Sequence, residues 1–112
     1  MARGTELYTF KRDNLVVKII MQHKGRHNAI KSSEICKILN ENGYETKSES
    51  IHLIVSKIIK ERGLPIVSSS SFGYCWGNSK GDFLITINEL QSKIEELNQR
   101  IDHLKRFVCE RS

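Results

Sequence analysis

Small polar and basic side chains are concentrated in one segment, residues 47–60, at a spacing typical of one helix face. Serine hydroxyls and lysine ammonium groups hydrogen-bond base edges and phosphate oxygens, and a leucine can contact a thymine methyl group. The residues expected to approach base edges or flanking phosphates are Lys47, Ser48, Ser50, His52, Leu53, Ser56 and Lys57. Those expected to contact phosphates are Lys31, Lys60 and the serine run Ser68, Ser69, Ser70 and Ser71. These residue types indicate noncovalent recognition of a nucleic acid.

The basic charge of the chain supports the same interpretation, because it is concentrated in one part of the sequence. Residues 1–81 carry 13 Lys or Arg against 7 Asp or Glu, whereas residues 82–112 carry 5 against 6. A positive field on one module favours a polyanionic partner such as nucleic acid. A lysine-rich surface that is simply solvated stays open as the alternative.

Patterns typical of catalysis, metal binding or membrane insertion are missing from the sequence. The four histidines have no metal-ligand spacing, and no Gly-rich phosphate loop precedes a predicted helix. The cysteines (Cys36, Cys75 and Cys109) are too few and too far apart for a disulfide framework. No apolar run approaches the roughly 18–20 residues that cross a bilayer, and residues 1–5 lack a signal-peptide core. We expect a cytoplasmic protein that is not an enzyme, with no metal, cofactor or membrane partner and no evident small-molecule ligand.

Two helices are predicted upstream of residues 47–60. The first covers 14 to about 23, with Asp13 as its cap, Gly25 at its end and an apolar stripe that begins at Leu15. Residues 1–12 are expected to form a poorly ordered or loosely packed arm, from which Arg3, Lys11 and Arg12 could reach a phosphate. The second helix covers 33–42, with Ser32 as its cap. Its inward residues are Ile35, Cys36, Ile38 and Leu39.

A third helix and a hairpin follow. Thr46 and Glu49 have the spacing of a capping box, and Ser48 is an alternative cap. Gly63 is expected to end the helix after Arg62. Its buried stripe is predicted to be Ile51, Ile54, Val55, Ile58 and Ile59. Residues 64–69 and 73–76 flank a Ser-rich turn and predict two strands, and a very short strand is expected at 29–31. Two helices joined by a tight turn with glycine form the helix-turn-helix pattern.

Three sequence features carry a family resemblance. They are Ala29-Ile30 before the second helix, the run Ile58-Ile59-Lys60-Glu61-Arg62-Gly63-Leu64-Pro65-Ile66, and the turn ending in Gly73-Tyr74. In these features residues 15–76 resemble the winged helix-turn-helix at the N-terminus of bacterial biotin-ligase repressors, a module also found in small phage- and plasmid-borne regulators. The resemblance implies sequence-specific binding to double-stranded DNA, with the third helix in the major groove and the hairpin against the backbone. The matched segment includes no ligase domain, so no biotin chemistry is implied.

The last third of the chain has an unbroken heptad pattern. Its apolar positions are Phe83, Ile87, Leu90, Ile94, Leu97, Ile101, Leu104 and Val108. In the heptad positions a to g, isoleucine mostly occupies a and leucine mostly occupies d. This combination favours a two-stranded coiled coil. Ser79 and Asp82 predict a cap for one helix over 80–108, and a later start near Thr86 is the alternative. At 1.5 Å per residue this helix is about 43 Å long. Such a helix is too long for so small a domain to cover, so we expect a homodimer. A parallel pair, an antiparallel pair and a helix that packs on its partner's winged domain all stay open.

The predicted architecture is mainly α with a small β-wing, a winged helix-turn-helix plus a long C-terminal dimerisation helix. Residues 1–12 are assigned to the arm, 13–77 to the DNA-binding domain and 78–112 to the dimerisation helix. We expect a transcriptional regulator that reads half-sites about one helical turn, roughly 34 Å, apart. Two alternatives stay open: a phage or plasmid replication or partition factor that binds an origin or centromere-like site, and a winged-helix module for protein–protein interaction.

Overall fold

The computed structural model describes residues 4–111, with side chains described from residue 6 to residue 110. This part of the chain is mainly helical, with one two-stranded antiparallel sheet and a long C-terminal helix, as the sequence predicts. The elements are α1 (Gly4–Met21), α2 (Ser32–Glu41), α3 (Ile51–Arg62), β1 (Ile66–Ser69), β2 (Gly73–Trp76) and α4 (Lys80–Arg111). Short 3₁₀ turns lie at Arg26–Asn28 and Ser48–Ser50.

The first helix corrects the prediction of a loosely packed arm over residues 1–12. Helix α1 already begins at Gly4, and residues 1–3 lie outside the described part of the chain. Two contacts with distant residues hold its first turns: the Tyr8 ring packs edge-on against Tyr44 at 5.1 Å, and the Arg62 guanidinium lies 5.6 Å from the Phe10 ring. Asp13 therefore does not cap α1. It is buried inside the helix.

The hydrophobic core lies where α1, α2 and α3 meet, with one residue from the hairpin and one from the loop before α2. Its buried members are Val16, Ile19, Ile20, Ile30, Ile35, Leu39, Ile51, Ile54, Val55, Ile58 and Ile66. Leu15, Cys36, Ile38 and Ile59 pack against this cluster and are partly buried. The predicted inward stripes of the three helices are thereby confirmed, because period-3.6 spacing places these positions on one face of each helix.

The turn between α2 and α3 differs from the predicted capping box. The Thr46 hydroxyl donates to the Tyr44 carbonyl at 2.9 Å, and the Thr46 N–H donates to the Asn40 side chain at 3.0 Å. Thr46 thus stabilises the turn before the helix. The helical region starts later, with a 3₁₀ turn at Ser48–Ser50 that runs into α3. Gly63 ends α3 in the left-handed conformation, as predicted.

The hairpin has the two predicted strands. The edge of β2 that does not pair with β1 contacts the chain between α1 and α2. Strands β1 and β2 pair with Ile66 opposite Trp76 and Ser69 opposite Gly73. Ile30 and Tyr74 exchange two backbone hydrogen bonds of 2.8 Å, which places the predicted short strand at 29–31 as a single bridge beside β2. The sheet is thus tied to the loop that precedes α2.

The start of α4 is held by Asp82, as the capping pattern predicts. The Ser79 side chain accepts the Asp82 N–H at 3.4 Å, and the Asp82 carboxylate accepts the Ser79 and Asn78 N–H groups at 3.1 and 3.0 Å. The carboxylate is also paired with the Arg26 guanidinium at 3.0 Å. A single buried carboxylate thereby fixes α4 to the loop that follows α1.

Replacing this carboxylate gives a pH-dependent prediction. The N–H groups of Asn78, Arg26 and Ser79 hold the Asp82 pKa below its ordinary value of 3.8, although burial opposes them. A carboxyl group whose pKa is lowered by folding stabilises the native state above its unfolded pKa, and this stabilisation is lost as the pH falls through the native pKa. Urea unfolding of Asp82→Asn and the wild type should therefore differ most at pH 7, and the difference should shrink as the pH falls below the ordinary carboxyl value of 3.8. Asp102→Asn, an exposed change on the same helix, is the control. A gap for Asp82→Asn as large at pH 3 as at pH 7 would contradict this role.

Candidate nucleic-acid interface

The outer face of α3 and of the 3₁₀ turn before it forms a ridge, called the α3 ridge, which we define as Glu49, His52, Leu53, Ser56 and Lys60. All five residues are exposed, and the apolar side chain of Leu53 is 63% accessible. His52 is oriented by its Nδ1, which lies 2.9 Å from the Glu49 carbonyl oxygen and donates to it. This hydrogen bond leaves the opposite edge of the imidazole ring as the edge that can contact a ligand. Of the residues predicted to read bases, His52, Leu53 and Ser56 lie on this ridge.

A depression of about 600 Å³ lies on the α1 side of the ridge. It brings together two basic side chains, Arg12 from α1 and Lys47 from the turn before α3, together with Ser50 and Leu53. Glu45 lies in the same depression and offsets part of the positive charge. Lys47 and Ser50 therefore stand where the sequence places them, beside the first turn of α3, and Ser48 is exposed in the intervening 3₁₀ turn.

A second depression, of about 420 Å³, lies on the other side of the ridge, between α2, the hairpin and α4. Its basic side chains are Lys31 and Lys93, and His52 and Glu89 also line it. The Lys31 ammonium donates to the Ser71 carbonyl oxygen at 3.1 Å and so links the start of α2 to the hairpin tip. The α3 ridge is thus flanked on both sides by a depression with two basic residues.

The hairpin tip corrects one predicted contact residue. Ser69 was expected to be exposed, but it is only 8% accessible, and its hydroxyl donates to the Glu89 carboxylate on α4 at 2.5 Å. Ser69 also contacts the Ser71 hydroxyl at 2.8 Å. Ser69 therefore shapes the tip and cannot itself reach a ligand. Ser70 and Ser71 remain exposed, and Ser68 is half-buried.

Lys57 has a partner inside the protein. Its ammonium lies 3.7 Å from the buried carboxylate of Asp13, which also contacts Arg12 at 3.2 Å. Lys57 therefore points toward α1 and balances a buried negative charge, whereas Lys60, one turn further along α3, is exposed at the end of the ridge. The sequence gives no signal for the Asp13 contact, because the two residues are 44 positions apart and meet only when α1 packs on α3.

A second candidate surface is the apolar face of α4. All eight heptad residues are exposed, from 38% for Phe83 to 70% for Val108. We name this surface the apolar seam, defined as Phe83, Ile87, Leu90, Ile94, Leu97, Ile101, Leu104 and Val108. These side chains stay accessible because α4 contacts the hairpin mainly through a neighbouring polar face, although Leu90 also lines the depression beside the hairpin and the Phe83 ring lies against Gly77. On that face the Thr86 hydroxyl donates to the Ser68 carbonyl at 2.7 Å, next to the contact between Glu89 and Ser69.

This polar stripe on α4 was missed in the sequence, although a signal for it exists. Asp82, Thr86, Glu89 and Lys93 repeat at intervals of four, three and four, the same spacing as the seam. Side chains at this spacing share one helix face. Through this stripe the first third of α4 lies against the hairpin, with the seam residue Leu90 at the edge of the contact.

Residues 4–111 contain neither a metal-ligand cluster nor a helix suited to span a membrane. Burial raises the pKa of the Cys75 thiol to about 11, so this cysteine is protonated and unreactive at neutral pH. Cys36 is half-buried and donates to the Thr46 carbonyl.

Comparison of the chain with protein families, with curated proteins and with solved structures found no match. The functional interpretation therefore depends on the geometry of the α3 ridge, its two flanking depressions and the apolar seam.

Proposed function

We propose that the protein is a sequence-specific double-stranded DNA-binding protein that acts as a homodimer, in the role of a transcriptional regulator. The observation that carries the proposal is the exposed α3 ridge between two depressions that each contain two basic residues. The major groove of B-DNA is about 12 Å wide and admits one helix. With the ridge in the groove, the two depressions would receive the phosphate backbones on either side.

The arrangement of elements supports assigning the fold to the winged helix-turn-helix class. Helices α2 and α3 follow each other through a short turn, and a hairpin follows α3 directly. The bridge between Ile30 and Tyr74 adds a third, one-residue strand beside β2. In this interpretation α3 is the recognition helix and the tip around Ser70 is the wing. Two copies paired through the apolar seam would present two such helices to one duplex.

Within this proposal the ridge residues read sequence and the lysines position the protein. Ser56 and His52 can hydrogen-bond base edges, and the exposed Leu53 can contact a thymine methyl group. Lys31, Lys47 and Lys60 would contact phosphates. Lys57 is assigned mainly to α1, since its ammonium already faces Asp13. Ser69 is buried and does not belong to the contact surface.

Lys60→Ala tests the phosphate contact. Loss of one phosphate contact weakens binding to all duplexes alike, and the slope of log K against log salt should fall by about one. The measurement is a fluorescence anisotropy titration with a selected site and a random duplex over a salt series. The control is Lys18→Ala, which removes an exposed lysine from a depression lined by α1 and Tyr44. Equal slopes for Lys60→Ala and the wild type would exclude the contact.

The experiment that tests the proposed function is selection of bound sequences from a random duplex pool. We expect an inverted repeat with half-sites separated by one helical turn or a multiple of it, because a symmetric dimer binds two equivalent half-sites. A gel shift with the selected duplex at low salt then confirms the interaction. Failure to bind any duplex at low salt would reject DNA binding altogether.

A protein-interaction module is the second candidate function, and the exposed apolar seam is the observation that favours it. Contiguous apolar surface along a helix is typical of partner binding. In this case a salt-resistant complex with another protein would form while no duplex is bound. The two candidates therefore differ in whether the protein binds a DNA duplex at low salt.

A further inference from the structure

We propose that Arg12 on α1 binds a DNA phosphate, and that the buried carboxylate of Asp13 holds the Arg12 guanidinium in place for this contact. Asp13 is then a positioning residue that supports DNA binding although its own charge is negative. This inference rests on the proposed function and deepens it. It assigns a phosphate site to the depression on the α1 side of the α3 ridge, and it gives a role in binding to a residue that does not touch DNA.

The guanidinium of Arg12 is held along one edge only. Its Nε and Nη2 atoms both donate to Oδ1 of Asp13, at 3.3 and 3.2 Å. A guanidinium has five N–H donors in one plane, so these two bonds leave three donors unused. Among the residues whose side chains are described, the Nη1 amino group has no acceptor, and no side-chain nitrogen or oxygen there is buried without a partner. Nη1 is therefore accessible and can donate to a phosphate oxygen.

The carboxylate of Asp13 is fixed inside the protein by two cations. Asp13 is only 3% accessible, and its second oxygen, Oδ2, lies 3.7 Å from the Lys57 ammonium on α3. A buried carboxylate that loses its partners is strongly destabilising, so both cations stay close to it. Arg12 is the more restricted of the two, since 20% of its side chain is accessible, against 46% for Lys57. The carboxylate thus confines the guanidinium to one position beside α3.

This position belongs to the depression that is proposed to receive a phosphate backbone. Arg12 lines the depression of about 600 Å³ together with Lys47 and the ridge residue Leu53. Asp13 and Lys57 line a separate depression of about 410 Å³. A phosphate that enters beside the ridge would therefore meet the charges of Arg12 and Lys47 without contacting the carboxylate.

Preorganisation is the physical reason why an acidic residue favours the binding of an anion here. An exposed arginine loses rotamer freedom when it binds a phosphate, and this loss of entropy opposes binding. The Arg12 side chain loses that freedom on folding instead, because a charge-assisted pair with Asp13 fixes the guanidinium. The two cations and the one carboxylate still leave a net positive charge. A phosphate can therefore bind to a donor group that is already in place.

Asp13→Asn tests the positioning role, because charge and positioning predict opposite results. The substitution keeps the shape of the side chain and removes a negative charge, so a charge effect alone would strengthen binding to DNA. We expect binding to weaken roughly three- to tenfold, the range for ordering one long side chain. The measurement is fluorescence anisotropy with the selected duplex, on protein whose folding is verified by circular dichroism. Binding as tight as that of the wild type, or tighter, would overturn the proposal.

A double-mutant cycle with Arg12→Ala separates positioning from a general effect on the fold. Arg12→Ala should weaken binding to selected and random duplexes alike and lower the salt slope by about one. In the Arg12→Ala background, Asp13→Asn should cause no further loss of affinity. An equal loss in both backgrounds would indicate a purely structural role for Asp13 and reject the proposal. The matched control is Lys11→Ala, which removes the same charge from α1 but in a different depression, and its salt slope should stay that of the wild type.

Arg12→Lys keeps the test decisive if Asp13→Asn does not fold. Lysine retains the charge, but its single ammonium nitrogen lacks the two separate edges that serve Asp13 and a phosphate. We expect Arg12→Lys to bind at least about threefold more weakly than the wild type. Wild-type affinity in Arg12→Lys, or a wild-type salt slope in Arg12→Ala, would reject the phosphate site and leave the proposed function standing. If the wild type itself binds no duplex at low salt, the proposed function fails and this inference fails with it.

Discussion

Leu97→Asp is expected to convert the proposed dimer into single chains of 12.9 kDa and to weaken binding to a selected inverted repeat by on the order of 10²-fold or more. Leu97 lies near the middle of the apolar seam and is exposed in the single chain. Pairing would bury the introduced carboxylate without a partner, which is strongly unfavourable. Binding falls because one copy then has to hold the duplex alone. Sedimentation velocity and a gel-shift titration measure the two effects.

Gln99→Asp is the matched control for this change. Gln99 lies two positions away at an outer heptad position, so the same charge is added to α4 without entering the seam. Both variants should retain the wild-type thermal unfolding of the α1–α3 body, since neither residue belongs to its core. If Leu97→Asp sediments as a dimer, the seam is not the pairing surface. If it is monomeric but binds the repeat with undiminished affinity, two copies are not needed for recognition.

Gly73→Ala is expected to have the largest effect on folding stability. Gly73 has a φ of +98°, and a methyl group there would overlap the backbone carbonyl of Ile30 and lie 3.2 Å from the Lys31 Cα. The clash would separate β2 from the bridge at Ile30, breaking two backbone hydrogen bonds and exposing a core residue. We expect a loss of roughly 3 kcal/mol or more, combining left-handed strain with these contacts. Chemical denaturation monitored by circular dichroism measures it.

Gly63→Ala provides the comparison, because it carries the backbone strain without the clash. Gly63 also has a positive φ, of +61°, but an added methyl group would meet nothing within 4 Å. Its expected cost is about 1 kcal/mol, in the range for an alanine in the left-handed region. Equal losses for the two variants would mean that the approach of Gly73 to Ile30 does not contribute to stability.

Local periodicity was sufficient to predict most of the fold. The inward residues of α2 and α3, the two strands and the early start of α4 all follow from spacing and capping within a few residues. The predicted start of α1 was wrong because the contacts that stabilise its first turns are long-range. Tyr44 packs on Tyr8, and Arg62 lies over Phe10. Asp13 was predicted to be a helix cap for the same reason. Its partner Lys57 lies on another helix, so the local sequence around Asp13 does not indicate the contact.

The candidate site was predictable where exposure depends on one helix alone. Leu53, Ser56 and Lys60 are exposed because their positions on α3 lie opposite Ile51, Ile54 and Ile58. Ser69 was misassigned because its burial depends on Glu89, 20 residues further along the chain. A sequence pattern shows which face of a helix is apolar, but not which distant polar group will meet a given hydroxyl.

The junction between the hairpin and α4 has a mechanical consequence. Three polar contacts hold the helix against the hairpin and the preceding loop: Asp82 with Arg26, Thr86 with Ser68, and Glu89 with Ser69. The two parts are therefore joined stiffly and not through a flexible tether. In a pair of copies joined through the apolar seam, this junction would fix the position of each α3 helix relative to the paired α4 helices. Little orientational freedom would be lost when the second copy meets its half-site. Inserting half a helical turn of DNA between the half-sites should therefore weaken the binding of the pair.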